Sequence, residues 1–353
     1  MELARETLEL HTSSTTKPEV AEVWSPEEMQ RRRKEWRSLW RRCSGATPFQ
    51  HPDWLLPWSQ ALASGSCWAV ALRREGKLLA VLPIMDYLSE EGSLRSVFMG
   101  QGISDYAGPL IDPVCGEEGF APLLSPLLSE RRERIDLEAV RAEDPLLKTS
   151  LHSLAEAAGF ELQRAEQDAC PCVELPAESE ALLPSLPRSL RANLRRSLRR
   201  MSEAGEVRFE SAETGSLDEF LEAFFALHRI RWQERGESGV LQGEEIQAFH
   251  RLSAPALLQE GLLGLHGIRF EGRLVAIVYL LQAGERAYSY LGGFDPSLSA
   301  YSPGALVLEY AMRKAIEGGA RAYDLLRGRE RYKYLWGARD QLTYRLIFRR
   351  SRP

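Results

Sequence analysis

The residues best suited to chemistry cluster in one segment of the chain, residues 287–337. Asp324 ends a short apolar run that is typical of a buried strand, and basic and aromatic residues follow it directly. These candidates are Arg327, Tyr332, Lys333 and Trp336. Ligands of α/β sheets bind at the carboxyl ends of strands. We expect Asp324 to accept or orient a proton, and Arg327 and Lys333 to stabilise negative charge. The alternative is an Asp–Arg ion pair that ties the strand end to a loop.

A helix start and a strand tyrosine would complete such a site. The residues that open the predicted helix, which runs to about Glu317, are Ser302, Pro303, Gly304 and Ala305. Serine is a good N-cap and proline a good first residue, and the free N–H groups of a helix start can hold a pyrophosphate. The same residues also start helices that bind nothing. Tyr290, on the preceding strand, is the candidate proton donor, with Tyr332 as the alternative.

Candidates for substrate binding also follow two other strand ends. Asp105 and Tyr106 come after a predicted strand that ends at Gly100, in the way that Asp295 follows the strand ending at Gly292. We therefore expect all three to reach a shared cleft between two halves of the protein. An ordinary surface position is the alternative.

Two predicted helices carry the remaining candidates. His228 and Trp232 lie on a helix with phenylalanines at four-residue spacing, where a histidine is more often a packed core residue than a general base. Arg195 belongs to the helix at 188–201, in which a leucine stripe alternates with six arginines and no acid. Such a basic amphipathic helix can hold a phosphate-rich substrate, touch anionic lipid or approach RNA. It can equally expose solvated arginines and do nothing more.

The elements that must position these residues occur twice in the chain. The pattern Glu-Gly-basic-Leu-aliphatic-Ala-aliphatic stands at 75–81 and again at 271–277, and each copy predicts a hairpin turn into a buried strand. Residues 97–100 are similar to residues 289–292, and residues 134–137 are similar to residues 322–325. The similar segments therefore occur in the same order in both halves. We predict two related α/β domains, each a mixed sheet flanked by helices.

The boundaries of these domains follow from composition. We expect a disordered leader at 1–17, a degenerate first domain at 18–173, a linker rich in Pro, Ser and Glu at 174–187, and a complete second domain at 188–353. After its strand-end aspartate, only the second copy continues with Arg-Gly and Tyr-Lys elements. The second domain is therefore the predicted catalytic one, and the first forms a wall of the cleft.

Composition excludes several protein classes. Hydrophobic residues make up 44% and charged residues 27% of the 353 residues, which predicts a packed globule. A net charge of −5 argues against a surface that binds nucleic acid all over. Five scattered cysteines form no C-x-x-C pair, so neither a metal site nor a disulfide framework is expected, and a reducing cytoplasm is the simpler location. No signal peptide and no bilayer-spanning run is predicted.

The predicted second domain resembles the GNAT N-acyltransferase fold. The motifs YDLLRG, YKYLWG, FDPSLSAYSPG, LHRIRW and RANLRRSLRRM are similar to those of the CelD-like branch of that superfamily. The resemblance implies transfer of an acyl group from acyl-CoA or acetyl-CoA to an amine, without a metal. GNAT acetyltransferases carry a Q/R-x-x-G-x-G/A loop before the pyrophosphate helix, whereas this chain has Ser-Leu-Ser-Ala-Tyr-Ser-Pro-Gly at 297–304.

The doubled domain and the Tyr-Lys-Tyr turn at 332–334 are also similar to the FemABX transferases, which move aminoacyl groups from tRNA to cell-wall precursors. That resemblance implies that Lys333 stabilises the developing charge. The expected partners are a small-molecule or envelope-precursor acceptor and peripheral association with a membrane synthesis complex. Two alternatives stay open: an aminoacyl-tRNA donor, with the basic helix contacting RNA, and a non-catalytic module that binds a ligand or a protein partner.

Overall fold

The computed structural model describes residues 20–129, 132–148, 151–233, 236 and 239–351. The expected leader at 1–17 lies outside the described residues. The strands are β1 Val20–Trp24, β2 Ser66–Arg74, β3 Lys77–Leu88, β4 Leu94–Phe98, β5 Leu110–Ile111, β6 Arg134–Arg141, β7 Phe160–Glu174, β8 Val207–Ser211, β9 Leu263–Phe270, β10 Arg273–Ala283, β11 Arg286–Phe294, β12 Ala322–Asp324 and β13 Arg339–Arg350. The helices are α1 Pro26–Arg31, α2 Arg33–Arg42, α3 Pro52–Ala61, α4 Phe120–Leu124, α5 Pro145–Lys148, α6 Leu151–Ala157, α7 Leu182–Ser185, α8 Arg188–Ala204, α9 Leu217–Gln233, α10 Glu244–Gln259, α11 Pro303–Glu317 and α12 Arg331–Tyr334.

The strands form one mixed sheet of thirteen strands. Its order is β1-β2-β3-β4-β6-β13-β7-β12-β11-β10-β9-β8, and β5 pairs with β3 beside this path. Helices cover both faces. The predicted mixed α/β fold is therefore confirmed.

The internal duplication is visible in the strand pairing. In the first half, the β2–β3 hairpin is followed by β4, which pairs in parallel with β6; in the second half, the β9–β10 hairpin is followed by β11, which pairs in parallel with β12. The two hairpin turns use the predicted Glu-Gly pairs, and all four residues have the positive φ that a tight turn of this kind requires.

The last strand of each half pairs with a strand of the other half. β7, which ends the first half, pairs with β12, while β13, which ends the second half, pairs with β6. β7 and β13 pair with each other along most of their lengths. Leu346 and Phe348 of β13 are consequently buried in the apolar cluster of the first half. The two halves are thus interlocked by exchange of their final strands.

Three apolar clusters fix the helices on the sheet. A large aromatic cluster lies between α3, α9, α10 and the sheet, and it contains Trp54, Phe249 and Tyr279. A second cluster holds α8 and α11 on the other face of the second half, and a third fills the first half. The segment at 174–187 contributes buried Leu175, Leu182 and Leu186 to the second cluster. Among the described helices, none is long and apolar enough to cross a membrane.

Candidate active site

The two parallel strands of the second half separate where the candidate residues lie. β11 and β12 pair only from Arg286 and Ala322 to Tyr288 and Asp324. β11 then continues to Phe294, and within the described chain no strand pairs with this edge of β11 after Tyr288. Backbone groups on that edge therefore have no strand partner, and in this part of β11 the Gly292 carbonyl accepts from Arg231 Nη1 at 3.2 Å.

Tyr290 stands at a bulge in β11, beside this opening. In the pairing of β11 with β10, Tyr279 faces Leu291 and Leu280 faces Ser289, so Tyr290 is the additional residue. Its ring packs 5.2 Å from the Trp54 ring and 5.7 Å from the His250 ring, which fixes its direction. Burial, and after it the charge of Asp105, raises the pKa of Tyr290 well above its usual value, so the phenol keeps its proton.

Asp105 and Arg327 join the two halves at the same place. Arg327 Nε donates to Asp105 Oδ1 at 2.9 Å, and Arg327 Nη2 donates to the Gly102 carbonyl at 2.8 Å. Asp105 is only 7% exposed, and burial raises the pKa of its carboxyl to about 6, against the opposing charge of Arg327. A carboxylate with a pKa near 6 is suited to accept a proton near neutral pH.

Asp324 lies deeper than Asp105 and its oxygens are occupied. The Tyr106 hydroxyl donates to Asp324 Oδ2 at 2.7 Å, Arg286 Nη1 donates to the same oxygen at 3.3 Å, and the Leu326 N–H donates to Oδ1 at 2.9 Å. Asp324 is 0% exposed, and burial raises the pKa of its carboxyl. These contacts suit a residue that holds the strand end, Tyr106 and the following turn in place.

Lys333 closes the loop after β12. Its ammonium donates to the carbonyl oxygens of Leu326, Arg327 and Gly328 at 2.9, 2.8 and 3.1 Å, and it pairs with Glu330 at 3.0 Å. Leu326 has a φ of 57°, an unusual conformation for a branched side chain, and this network holds it. Lys333 is 3% exposed, so its charge acts mainly on the loop that carries Arg327.

The Gly-Gly pair at the end of β11 lets α9 approach the sheet. A Cβ on Gly293 would lie 2.6 Å from the His228 backbone nitrogen. His228 is buried in the aromatic cluster, next to Trp232 at a ring separation of 5.8 Å, and burial lowers its pKa to about 4. The packed position that the sequence allowed for His228 is therefore the observed one.

The start of α11 has the predicted helix cap position but few free donors. Ser302 precedes the helix with a left-handed φ of 51°, and the Ala305 and Leu306 N–H groups donate to its carbonyl at 3.0 and 3.2 Å. Since Pro303 has no N–H, the Gly304 N–H is the first-turn donor that stays available among the described residues. Gly304 itself lies against the Phe294 ring, because a Cβ there would be 3.0 Å from it.

The other predicted residues lie apart from Tyr290. Asp295 accepts from the Ser297 N–H at 3.0 Å and from Arg273 at 2.8 Å, so it caps the turn before α11. Trp336 is buried in the apolar cluster under α11, whereas Tyr332 and Arg195 are exposed. The structure thus brings together Asp105, Tyr106, Tyr290, Asp324, Arg327 and Lys333.

Sequence reasoning missed several residues of this site. Arg286 holds Asp324, and Trp54 and His250 form the wall behind Tyr290. A signal existed for Arg286 only, as a charged residue two positions before a buried strand tyrosine. All five cysteines are buried and free, and the described residues contain no group of metal-binding side chains.

Part of the chain matches a known protein family. Residues 188–334 match the family model described as an acetyltransferase (GNAT) domain. No curated protein sequence matches the chain.

Solved structures show the fold of nearly the whole chain. The structure is similar to FemX, with 14% sequence identity, a TM-score of 0.66 and coverage of 88% of this chain and 95% of that one. It is also similar to the C-terminal domain of a putative lysylphosphatidylglycerol synthetase from Agrobacterium fabrum, with 14% identity, a TM-score of 0.57 and coverage of 90% and 92%. A protein of unknown function from Bacteroides thetaiotaomicron VPI-5482 has 13% identity, a TM-score of 0.57 and coverage of 90% and 97%. The chain therefore has a fold similar to that of FemX, and residues 188–334 in its second half match the model of the GNAT acetyltransferase domain.

Proposed function

We propose that the protein is an N-acyltransferase whose reacting carbonyl lies at the edge of β11 beside Tyr290. The observation that carries this proposal is the separation of β11 from β12 at the point where Asp105, Arg327 and Tyr290 converge. Such an opening offers backbone N–H groups to a carbonyl oxygen that becomes negative during reaction.

Each of the three side chains has a defined task in this reaction. The neutral amine attacks the acyl carbon, a C–N bond forms, and the bond from carbon to the donor sulfur breaks. Asp105 accepts the proton that the amine loses, which its pKa of about 6 permits near neutral pH. Tyr290 returns a proton to the leaving thiolate. Arg327 orients Asp105 through their 2.9 Å ion pair.

The proposed donor is acetyl-CoA or a longer acyl-CoA. The Gly304 N–H and the positive end of the α11 dipole would face its pyrophosphate. Arg200 lies beside this helix start, because its guanidinium donates to the Ala300 carbonyl at 3.3 Å and stacks 5.7 Å from the Tyr301 ring. One free N–H and an arginine are a small but suitable set for a pyrophosphate.

The proposed acceptor is an amine of an envelope precursor, and we place the chain in the CelD-like branch. This assignment depends on the motifs of the second half and on the similarity to FemX and to the lysylphosphatidylglycerol synthetase domain. We extend it to peripheral contact with a membrane synthesis complex.

A second donor, an aminoacyl-tRNA, is favoured by α8. Leu190, Leu194 and Met201 bury one face of this helix, and its arginines cover the opposite face. For Arg188, Arg195 and Arg196 no acidic partner exists among the described residues. A basic face of this length beside α11 suits a polyanionic donor, whose binding would weaken steeply with salt.

The direct test is release of free thiol from acetyl-CoA in the presence of a panel of amino sugars, amino acids and peptide amines. We expect turnover with at least one amine, and a loss of about a hundredfold in kcat for Tyr290→Phe, in the range of general acid catalysis. Tyr334→Phe, at an exposed tyrosine at the end of α12, serves as the control. Binding of acetyl-CoA without turnover on any amine would instead indicate the non-catalytic module.

A further inference from the structure

A cleft lies between the two halves, and none of the residues with a role in the proposed transfer lines it. Its volume is about 720 Å³, which is the size of sites that hold small organic ligands. It is lined by the loop at 43–46, by residues 109–113 and 116–117, by the end of β6 and by the starts of β11 and β12. Both halves contribute, so the cleft exists only in the assembled tandem fold.

Two partly buried arginines and a tyrosine line this cleft, and a third arginine, Arg321, is exposed at its rim. Arg141, Arg286 and Tyr288 all line it. Burial raises the pKa of Tyr288 to about 12, and the nearby guanidinium groups of Arg141 and Arg286 oppose this rise. The charges of both guanidinium groups therefore act on the Tyr288 hydroxyl.

Most donors of the two guanidinium groups are not used within the protein. Arg141 Nη2 donates to the Gly45 carbonyl, and the described residues include no carboxylate partner for Arg141. Arg286 uses one nitrogen, Nη1, for both Asp324 and Gln341. A guanidinium has five N–H donors in a planar fork, which matches a carboxylate or a phosphate. The remaining donors of both residues suit such an anion.

The acidic residues of the cleft do not neutralise these arginines. Asp112 is paired with Arg42 at 2.8 Å and with Lys77 at 3.4 Å. Glu117, Glu143 and Glu285 are exposed at the rim, and the buried Asp144 accepts from the Leu146 N–H at 2.9 Å. Among the described residues, none of these four carboxylates pairs with Arg141 or Arg286.

An apolar wall faces the arginines, and aromatic rings separate the cleft from the transfer site. Leu110, Ile111 and Phe120 line the cleft on one side. The Phe49 ring lies 6.0 Å from the Tyr288 ring and 6.1 Å from the Tyr290 ring. Tyr290 is not among the residues that line the cleft.

The geometry points to a second binding site in this cleft, for a small molecule with an anionic head held by Arg141, Arg286 and Tyr288 and an apolar or ring-shaped body along the Leu110–Phe120 wall. The head is a carboxylate or a phosphate, since both match a guanidinium fork. Arg286 connects this site to the buried Asp324 through its 3.3 Å contact.

Calorimetric titration of the full chain with three small probes tests the site. Phenyl phosphate and benzoate share a ring and differ in the anionic head, and benzyl alcohol is the neutral control. Arg141→Gln is the main variant, because it removes the charge and breaks no ion pair among the described residues; it loses the contact to the Gly45 carbonyl and a cation–π contact with the Tyr106 ring at 5.9 Å. Tyr288→Phe, which removes only the hydroxyl, is a second variant. Arg327→Gln removes a comparable charge at the transfer site and is the matched control.

We expect at least one anionic probe to bind, with affinity about tenfold lower in Arg141→Gln, reduced in Tyr288→Phe and unchanged in Arg327→Gln. Stronger binding of phenyl phosphate would assign a phosphate ligand, and stronger binding of benzoate a carboxylate ligand. The site would be disproved if neither anion binds, if benzyl alcohol binds equally well, or if Arg327→Gln weakens binding as much as Arg141→Gln does. None of these results depends on acyl transfer.

Discussion

At the scale of single residues, the two acidic candidates differ in what surrounds them. Asp324 was predicted from sequence because it ends a strand, but it lies under the surface with both oxygens bonded. Asp105, predicted only as a binding residue, lies nearer the opening and pairs with Arg327 across the two halves. The sequence indicates that a residue ends a strand, but it does not show how deeply the side chain is buried. It also does not show which distant residue will neutralise the charge of that side chain.

The pH dependence of transfer should report Asp105. We expect kcat/KM to rise with pH through about 6, because Asp105 must lose its proton to act as a base. Arg327 lowers the pKa of Asp105, so Arg327→Gln should move this limb to higher pH, and Asp105→Asn should abolish it with most of the activity. A pH profile that keeps its acidic limb in Asp105→Asn would assign the titration to another group.

Lys333 offers a test that separates a structural role from a catalytic one. Lys333→Met removes the bonds to the Leu326, Arg327 and Gly328 carbonyls. We expect the free energy of unfolding to fall by about 1.5–3 kcal/mol, measured by urea denaturation. Arg331→Met, at an exposed position of the same helix, should stay close to the wild type. Wild-type stability together with lost transfer would mean that the ammonium acts on the acyl group instead.

At the scale of elements, Gly293 matters because it lets the backbone of α9 come close to β11. The sequence predicted both hairpin turns and the bounds of α11 well, because these depend on local patterns. It did not predict that α9 would lie on Gly293, since such packing depends on residues far apart in the chain. The main role of the Gly-Gly pair at the end of β11 is therefore to let α9 pack on the strand.

Gly293→Ala should destabilise the protein. Its Cβ would come within 2.6 Å of the His228 backbone nitrogen, which cannot move without shifting α9. We expect a loss of about 1–3 kcal/mol in the free energy of unfolding, as for other overpacked positions. The control is Gly215→Ala, where a Cβ meets nothing within 4 Å. Equal stability of the two variants would show that α9 does not pack closely on β11.

At the scale of the whole molecule, exchange of the final strands makes the halves depend on each other. β13 of the second half lies between β6 and β7 and completes the first half's part of the sheet. In the same way, β7 of the first half pairs with β12 and completes the second half's part. The sequence predicted two similar halves but not this exchange, because β7 and β13 carry similar strand patterns and either could complete either sheet. The cleft between the halves is a consequence of this assembly.

This interlocking predicts cooperative unfolding. Leu346→Ala on β13 removes a side chain that is 1% exposed in the first half, and we expect a loss of about 2–5 kcal/mol. Hydrogen exchange followed by mass spectrometry should show protection falling together in β3 and β10. The exposed Leu252→Ala is the control. Loss of protection in one half alone would mean that the halves unfold as independent units.

Binding of an acyl donor along the second half is the central claim, and calorimetric titration of acetyl-CoA into the full chain tests it most directly. Gly304→Asp places a carboxylate at the start of α11, while Gly304→Ala introduces the same Cβ beside Phe294 without the charge. We predict saturable binding to the wild type and to Gly304→Ala, and at least a tenfold (about 1.4 kcal/mol) weaker interaction with Gly304→Asp. Absence of binding to the wild type, or equal binding to Gly304→Asp, would contradict the thioester donor and its position.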